Sequence, residues 1–528
     1  MKYKKRGTAK NLEEYVIEKT GKTPDTLSNP NDFFWVKKIH DAAKVLWDAA
    51  KEKRPVYVYG DYDCDGITSV IGLWMLLFKI GAKFMLCIPD RDDGYGVTET
   101  YVNKLPDHSI LLTVDNGISA LPAMQAAAKK GIDVVILDHH LSTTGTLPDV
   151  KVLIDPEALP GTAAFNDYCG AGLVYKLCEA MFPDDLNFLS IIAAFSSIGT
   201  VGDVVSVLGD NRNIIKLGLQ AINNGNVPQG INEVISLLNL SGHVHASDLA
   251  FKLCPCTNAY GRMEKKGGQY VAAAYLSNGD AAKKKASDII EKNEQRKEEV
   301  KMMVDDIMPD LKANLNFVAL PNLRASLCGL GAAKLTEETG KPSFVMTDVG
   351  DLYKGSARSD DGSQNNVKQM LDVVAPLLAS YGGHAGAAGF SFEKKNFEAV
   401  QNEMAKIPVK KHVEGHFFDL DLKPVDAEEV LIEMEHLEPF GKDFERPVFR
   451  IHAKFQEGDN YFHRIGQDHS HLAFDLPGGL KAVYFGAAEQ YITDGCPKDV
   501  YLYGSLEPNY WNGQVSPNFM VEAMEKHS

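Results

Sequence analysis

The 528-residue chain has no CxxC pair among its eight cysteines, no excess of positive charge, and no charge-free apolar run long enough to cross a membrane. The first absence argues against a thiolate zinc centre. Cys254 and Cys256, in "CPC", are the one close pair, and a single pair cannot close such a site. Cysteines without a framework also fit a reduced, cytoplasmic protein better than a disulfide-stapled one. The most apolar stretch, "ITSVIGLWMLLFKIGAKFMLCIP", is interrupted by Lys79 and Lys83 and reads as a buried helix followed by a strand. The charged start "MKYKKRGTAKN" has no apolar run behind it, so no secretory signal is expected. A net charge of −16 argues against gripping nucleic acid by bulk attraction. That charge is unevenly spread. Residues 411–528 carry 10 Lys and Arg against 21 Asp and Glu, whereas residues 1–54 carry 13 against 8. A nucleic-acid path is therefore expected nearer the front of the chain than its end.

What is present is an alternation of short β-rich runs with helix-length segments. "PVYVYG", "AKFMLCIP", "SILLTVD", "DVVILD" and "VKVLID" read as strands, separated by segments such as "ALPAMQAAAKKG". Such alternation predicts an α/β fold with a parallel sheet covered on both faces and ligands outside the carboxyl ends of its strands. Residues 280–312 mix both charge signs over a thin apolar stripe (Ile289, Ile290, Val300, Met303, Val304) and predict an exposed connecting helix. A second α/β unit is expected over 313–408, with "NFVAL", "PSFVMTDV" and "LYKGSARS" as strands. Close-spaced short strands after residue 409 predict a small β-barrel or sandwich. The expected division is 1–50 as an extension packed on the first unit, then 51–279, 280–312, 313–408 and 409–528.

The densest chemistry lies in "GDYDCDGITS", where Asp61, Asp63 and Asp65 alternate before Gly66. An EF-hand loop is excluded because the twelfth position is Gly72 rather than a bidentate glutamate, and a strand precedes the motif. A strand-end reading fits better, since "LLTVDNGIS" ends at Asp115, "VVILDHHLS" at Asp138 before His139 and His140, and "IGTVGDVVS" places Asp203 after a glycine-containing turn. Adjacent parallel strands would bring all of these to one rim. Two carboxylates about 4 Å apart repel by roughly 4 kcal/mol at an effective dielectric near 20, so several pairs need positive charge between them. Two divalent cations meet that need. An oxygen-rich donor set with imidazole suits Mn²⁺ or Mg²⁺ better than zinc, and implies hydrolysis at phosphorus.

These motifs, with "GTVGDVVSVLGDNR", resemble the DHH phosphoesterase superfamily. "NAYGRM", "GSARS", "YGGHAGAAGFS" and "LEPFGKDFERPVF" narrow the resemblance to the RecJ family of single-strand-specific 5′→3′ exonucleases. The resemblance implies a DHH catalytic domain, a DHH-associated domain and a C-terminal OB-like barrel. It implies a two-metal hydrolase acting on single-stranded DNA in recombination and repair, as a monomer, with a single-strand-binding protein or a helicase as partner. Carried residue by residue, it makes Asp63, Asp65, Asp115, His139 and Asp203 the metal ligands, with Asp115 bridging. Asp61 becomes an accessory acid, His140 faces the scissile phosphate, and Asp138 braces the histidines. Gly382, Gly383 and His384, with Ser356, Arg358 and Ser359, become phosphate contacts, as do Arg262 and Arg212.

The chain departs from the family at Cys256, where a basic residue is usual, and in its acidic C-terminal region. The aromatics there (Tyr461, Phe462, Tyr484, Phe485, Tyr501, Tyr503, Tyr510, Trp511) are expected to serve barrel packing more than base stacking. Enzymes sharing the metal site, such as nano-RNA or cyclic-dinucleotide phosphodiesterases and inorganic pyrophosphatases, are typically shorter and lack a barrel. A non-catalytic scaffold in a replication complex would be expected to have lost ligands, and here all five positions hold Asp or His.

Overall fold

The computed structural model describes residues 3–27, 34–142, 145–307, 314–359, 364–410, 416–456, 461–511 and 514–527. A two-residue strand β1 (Lys4–Lys5) and helix α1 (Leu12–Thr20) open the chain, followed by α2 (Ile39–Glu52). The five expected β-runs then form β2 (Pro55–Tyr59), β3 (Lys83–Cys87), β4 (Ile110–Val114), β5 (Asp133–Leu137) and β6 (Val152–Ile154). They make one parallel sheet in the order β3-β2-β4-β5-β6. Alternate side chains of its strands enter two different cores: Val56, Ile110, Leu112 and Val135 on one face, Leu111, Val134 and Ile136 on the other.

Helix α3 (Cys64–Lys79) joins β2 to β3 and is buried over most of its length. Its N-cap is Asp63, whose Oδ1 accepts from the backbone N–H groups of Asp65 and Gly66 at 3.1 Å each. The motif needs glycine at 66 because a β-carbon there would lie 2.5 to 2.6 Å from the Asp61 backbone. The strand thus turns into the helix with no spare space, which fixes where the acidic side chains point. After α4 (Glu99–Asn103) and α5 (Leu121–Lys129), helices α6 (Gly170–Met181), α7 (Leu186–Gly202) and α8 (Gly209–Asn223) complete the buried face.

A 29-residue helix, Gly279–Ile307, leads to the second α/β unit. Its buried face (Ala282, Ala286, Ile289, Asn293, Met303, Val304, Ile307) extends the expected stripe, and residues 308–312 of the expected span lie outside the described residues. Strands β7 (Asn316–Ala319), β8 (Ser343–Val349), β9 (Leu352–Arg358), β10 (Ser380–Gly383) and β11 (Ala387–Glu393) form a mixed sheet ordered β10-β11-β9-β8-β7. Only β7 and β8 pair in parallel there.

The C-terminal part is OB-like. β12 (Phe417–Phe418) precedes β13 (Leu420–Asp421), β14 (Phe449–Lys454), β15 (Phe462–Ile465), β16 (His471–Asp475), β17 (Lys481–Tyr484), β18 (Asp499–Trp511) and β19 (Gln514–Lys526). The last seven form one sheet ordered β13-β14-β18-β19-β17-β16-β15. Tyr461, Tyr491, Tyr503, Phe474 and Phe519 are buried in it, as barrel packing requires, and the Trp511 side chain lies outside what is described.

The extension 1–50 corrects one expectation. Its helix α2 packs on the first sheet, but residues 3–20 dock on the C-terminal unit. β1 pairs with β12 in parallel, Tyr3 stacks on Tyr503 at 3.8 Å, and the Tyr15 hydroxyl donates to the Glu445 carbonyl. Arg6 grips Asp419 with two bonds, Nε to Oδ1 at 2.8 Å and Nη2 to Oδ2 at 2.9 Å. The cause is charge complementarity between a basic start and an acidic end.

Arg212 is a second correction. Its buried guanidinium, on α8, donates to the carbonyls of Leu437 (2.5 Å), Glu438 (2.9 Å) and Pro439 (2.9 Å) and so serves the packing of the C-terminal unit rather than a phosphate. Replacing Arg212 by Ala strands three carbonyls and opens a cavity, at a cost of about 2–4 kcal/mol. The expected result is faster proteolytic release of the C-terminal unit; unchanged proteolysis would remove this role.

Candidate active site

The rim forms where β2, β4 and β5 end. Asp61 and Asp63 lie in the turn after β2, and Asp65 in the first turn of α3. Asp65 is anchored at the N-terminus of α6, its Oδ2 accepting from the Gly170 N–H at 2.7 Å and its Oδ1 from Ala171 at 2.9 Å. Exposed N–H groups and the helix dipole both favour a carboxylate there. Asp115 leaves β4 in the left-handed region, with φ of 60°. Asp138 leaves β5 fully buried. Its Oδ1 accepts from the N–H groups of His139 (2.9 Å) and His140 (3.3 Å) and from His140 Nδ1 (2.8 Å), and its Oδ2 from the Ile118 N–H (2.9 Å). One carboxylate therefore holds both histidines.

His139 Nε2 lies 3.1 Å from Asp115 Oδ1, 3.7 Å from Asp203 Oδ2 and 3.9 Å from Asp65 Oδ2. Ligand atoms of Asp61, Asp63 and Asp115 lie within 4.8 Å of one another, as do those of Asp115, His139 and His140. Asp203 reaches the rim by another route than expected. It is the C-cap of helix α7 rather than the end of a strand or glycine turn, because "IIAAFSSIGTVG" continues helical to Gly202.

The electrostatics are those of charges crowded out of water. Burial and the Asp63 charge push Asp61 up to about 8, and burial with the Asp65 charge does the same to Asp203. Asp115 rises well above the carboxylate range through burial and then through Asp65, Asp63, Asp61 and Asp203. His139 is held below its ordinary value by burial and by His140, so its imidazole is neutral and able to ligate. Burial opposes the charge on His140, but the Asp138 hydrogen bond and charge prevail and push it up to about 9. Asp61 Oδ1 is buried with no hydrogen-bond partner. Carboxylates under mutual repulsion, an orphaned carboxylate oxygen, a neutral imidazole and no thiolate among them together fit hard divalent cations.

Beside the rim is a cleft of about 550 Å³ between the two α/β units, lined by Arg91, Arg262 and Lys265 on one side and Arg324 and Lys354 on the other. Arg262 Nη1 donates to the Ser326 carbonyl at 2.9 Å, and burial with the nearby Arg91 and Arg296 lowers it to about 9. Ser356 and Arg358 sit two apart on β9 and so share one face of the second sheet. Gly382, Gly389 and Ser356 are paired across β10, β11 and β9. The glycine-rich segment is thus a hairpin rather than a loop of converging N–H groups, with His384 exposed at its turn. Ser359 Oγ is buried without a partner.

Three residues escaped the reading of the sequence. Arg91 lies over the Tyr62 ring at 4.4 Å, with Nε and Nη2 buried and unpartnered. Tyr95 places its hydroxyl 2.9 Å from His140 Nδ1 and 3.1 Å from the Asp115 carbonyl. Asp155, after β6, is buried with Oδ2 unpartnered and is pushed up to about 7, chiefly by burial. "VKVLID" ends in an aspartate as the other strands do, and that repeat was the available signal for Asp155. The "DRDDGYG" loop offered no pattern that separates Arg91 and Tyr95 from ordinary surface residues.

Sheet, rim and second sheet define a DHH-type fold with an acidic rim suited to divalent cations. The DHH family N-terminal domain model matches residues 55–200 and the RecJ OB domain model residues 418–523. Across most of its length the chain is similar to RecJ proteins. It is 28% identical over 520 residues to the single-stranded-DNA-specific exonuclease RecJ of Bacillus subtilis, covering 93% of this chain and 64% of that one. With the RecJ of Salmonella typhimurium it shares 28% over 528 residues, 92% of this chain and 89% of the other. The crystal structure of RecJ in complex with Mn²⁺ from Thermus thermophilus superposes with a TM-score of 0.81 at 24% identity, over 97% of this chain and 75% of that one.

The raised carboxylates give a signed prediction. Without metal, the folded rim holds protons between the ordinary value of 3.8 and about 8 that the unfolded chain has released. Metal-free stability therefore falls as pH rises through that window, and metal binding at neutral pH expels protons, so affinity climbs towards pH 8. Calorimetry in buffers of different ionisation enthalpy measures the release; a buffer-independent heat at pH 7 would contradict it.

Proposed function

We propose that the chain is a metal-dependent exonuclease that degrades single-stranded DNA from its 5′ end in recombination and repair. The observation that carries this reading is the juxtaposition of a cation-seeking acidic rim with a basic cleft in which Arg91 keeps buried donors without partners. Buried donors such as Arg91 Nε and Nη2 call for an anion, and a phosphodiester is an anion that the rim can hydrolyse. The 5′-to-3′ polarity rests on the motif resemblance.

Asp63, Asp65, Asp115, His139 and Asp203 would hold two Mn²⁺ or Mg²⁺ ions, with Asp115 shared and Asp61 beside them. When bound, such ions supply a nucleophile at neutral pH and neutralise charge on the reacting phosphate. The chain's own residues do the rest. Asp138 fixes the His140 ring through Nδ1, so the cationic imidazole presents a donor to a phosphate oxygen. Tyr95 packs edge-on against that ring with centroids 5.4 Å apart and restrains it further. Arg262 and Arg358 clamp the strand, and Ser356 and Ser359 add hydroxyl donors.

The sheet face beside them explains strand selectivity. A β-carbon on Gly382 or Gly389 would meet nothing within 4 Å, so glycine is not required there for internal packing. Bare backbone across two strands leaves a flat track on which a single strand can lie close.

Asp115→Ala should reduce metal-dependent cleavage of a labelled single-stranded oligonucleotide at least about a thousandfold, the loss of several kcal/mol of charge stabilisation. Unchanged turnover would refute the shared-ligand role. Duplexes and 5′-blocked strands should resist, and cleavage confined to fragments of two to five nucleotides would favour the smaller DHH phosphodiesterases instead.

Gly389→Leu should fold normally, since the side chain enters open space, yet cut kcat/KM by about tenfold or more, or ~1.4 kcal/mol. Wild-type kinetics with the wild-type melting temperature would take the strand off this track.

A further inference from the structure

We infer that the C-terminal unit carries a separate binding site for one borderline transition-metal ion of the Zn²⁺ type, formed by His452, Asp499 and His527. The site is independent of the acidic rim and of the function proposed for it.

The register places these residues together. On β14 and β18, Lys454 faces Asp499 and His452 faces Tyr501. On β18 and β19, Val500 faces Lys526, and the His527 N–H just beyond donates to the Asp499 carbonyl at 3.0 Å. His452, Asp499 and His527 therefore project from three neighbouring strands on the same side of the sheet.

Their donor atoms converge on one point. His452 Nε2 lies 2.7 Å and His527 Nδ1 3.3 Å from the same oxygen, Asp499 Oδ1, and all three ligand atoms fall within 4.8 Å of one another. The two imidazole rings are 4.6 Å apart, tilted at 40°, and Tyr501 flanks both at 4.9 and 5.0 Å. Lys454 Nζ sits 3.7 Å from the other oxygen, Oδ2, which leaves Oδ1 to the histidines. Without a metal, each imidazole needs a proton on the nitrogen that faces the shared oxygen. A single divalent cation replaces both protons.

The chemistry selects the ion. Two imidazole nitrogens and one carboxylate oxygen, with water completing the set, suit zinc, nickel or copper and disfavour Mg²⁺. In tetrahedral zinc sites neighbouring ligand atoms stand about 3.3 Å apart, the present His527–Asp499 separation, and the His452–Asp499 contact must open by roughly half an ångström. His463 and Asp475, 2.7 Å apart, form a comparable surface pair for which no third ligand is grouped among the described residues, and they serve as a control. An occupied site would pin the end of β19 to β14 across β18.

The test is zinc retention by the full chain held in excess Mg²⁺, counted by elemental analysis after gel filtration. Wild type, Asp115→Asn and His463→Gln should each keep one equivalent that His452→Gln, His527→Gln and Asp499→Asn lose. Equal retention by wild type and these last three variants would overturn the site. So would loss of the extra equivalent in Asp115→Asn, which would place it at the rim. A second readout needs no variant: Co²⁺ added to the Mg²⁺-loaded wild type should give the strong visible absorption of a low-coordinate nitrogen-ligated ion. Only the weak band of an all-oxygen octahedral ion would equally refute the proposal.

Discussion

Mutual repulsion among buried carboxylates is the constraint around which the first half of the molecule is arranged. Asp61, Asp65 and Asp115 are almost wholly removed from water, with Asp203 close by; the imidazole among them, His139, is held neutral, and the charge of neighbouring His140 is engaged by Asp138. The fold spends much of its local order on tolerating this. Asp63 is consumed partly in capping α3, Asp65 sits on the N-terminus of α6, and Asp138 is neutralised by His140. What remains uncompensated is a ring of oxygens around a space that cations can fill. The positive charge lies one step outward, in the cleft, where Arg91 and Arg262 are near enough to feel Asp61 and Asp63 but bond to neither.

That separation follows from the sheet. Parallel strands deliver their carboxyl ends to one edge, so acids in the turns after β2, β4 and β5 meet whatever their distance in sequence. The basic groups come from elsewhere: the loop after β3, the helix Cys254–Met263, and the strands of the second unit. Acid on one wall and base on the other suits a ligand that is itself an anion whose phosphorus must be approached by a nucleophile.

The parts legible in the sequence were those governed by local pattern. Strand runs bounded by Gly, Pro or Asp, the long polar helix and the repeated strand-end aspartates could be read because each signal lies within a few residues. The parts that could not be read depend on distant partners. Arg212 stands in "GDNR" like a phosphate contact, and only the docked carbonyls of residues 437–439 show its use. Arg91 has no periodicity to mark it, and its importance lies in what it fails to bond. The basic start of the chain suggested a nucleic-acid path, yet Arg6 and Lys19 both lie against Asp419. Overall charge cannot reveal which opposite charges have already been paired.

The C-terminal unit is consequently more than an appendage to the chemistry. Asp203 ends helix α7, and Val204 follows it with φ of 57°, a conformation costly for a β-branched residue and sustained only where its surroundings enforce it. The enforcing contacts lie immediately downstream. The Ser206 N–H donates to Asp167 Oδ2 at 2.8 Å, and the Val207 N–H to the Lys442 carbonyl at 3.1 Å. Gly441 packs so closely on Val207 that a β-carbon would come within 2.6 Å of it. Arg212, one helical turn further on, grips the same C-terminal segment. The loop that closes the acidic rim is thus held in a strained shape by residues 437–442, more than two hundred positions away in sequence. An acidic OB-like unit need not touch nucleic acid to matter for catalysis: by bracing the Asp203 turn it helps decide where the last carboxylate of the rim points.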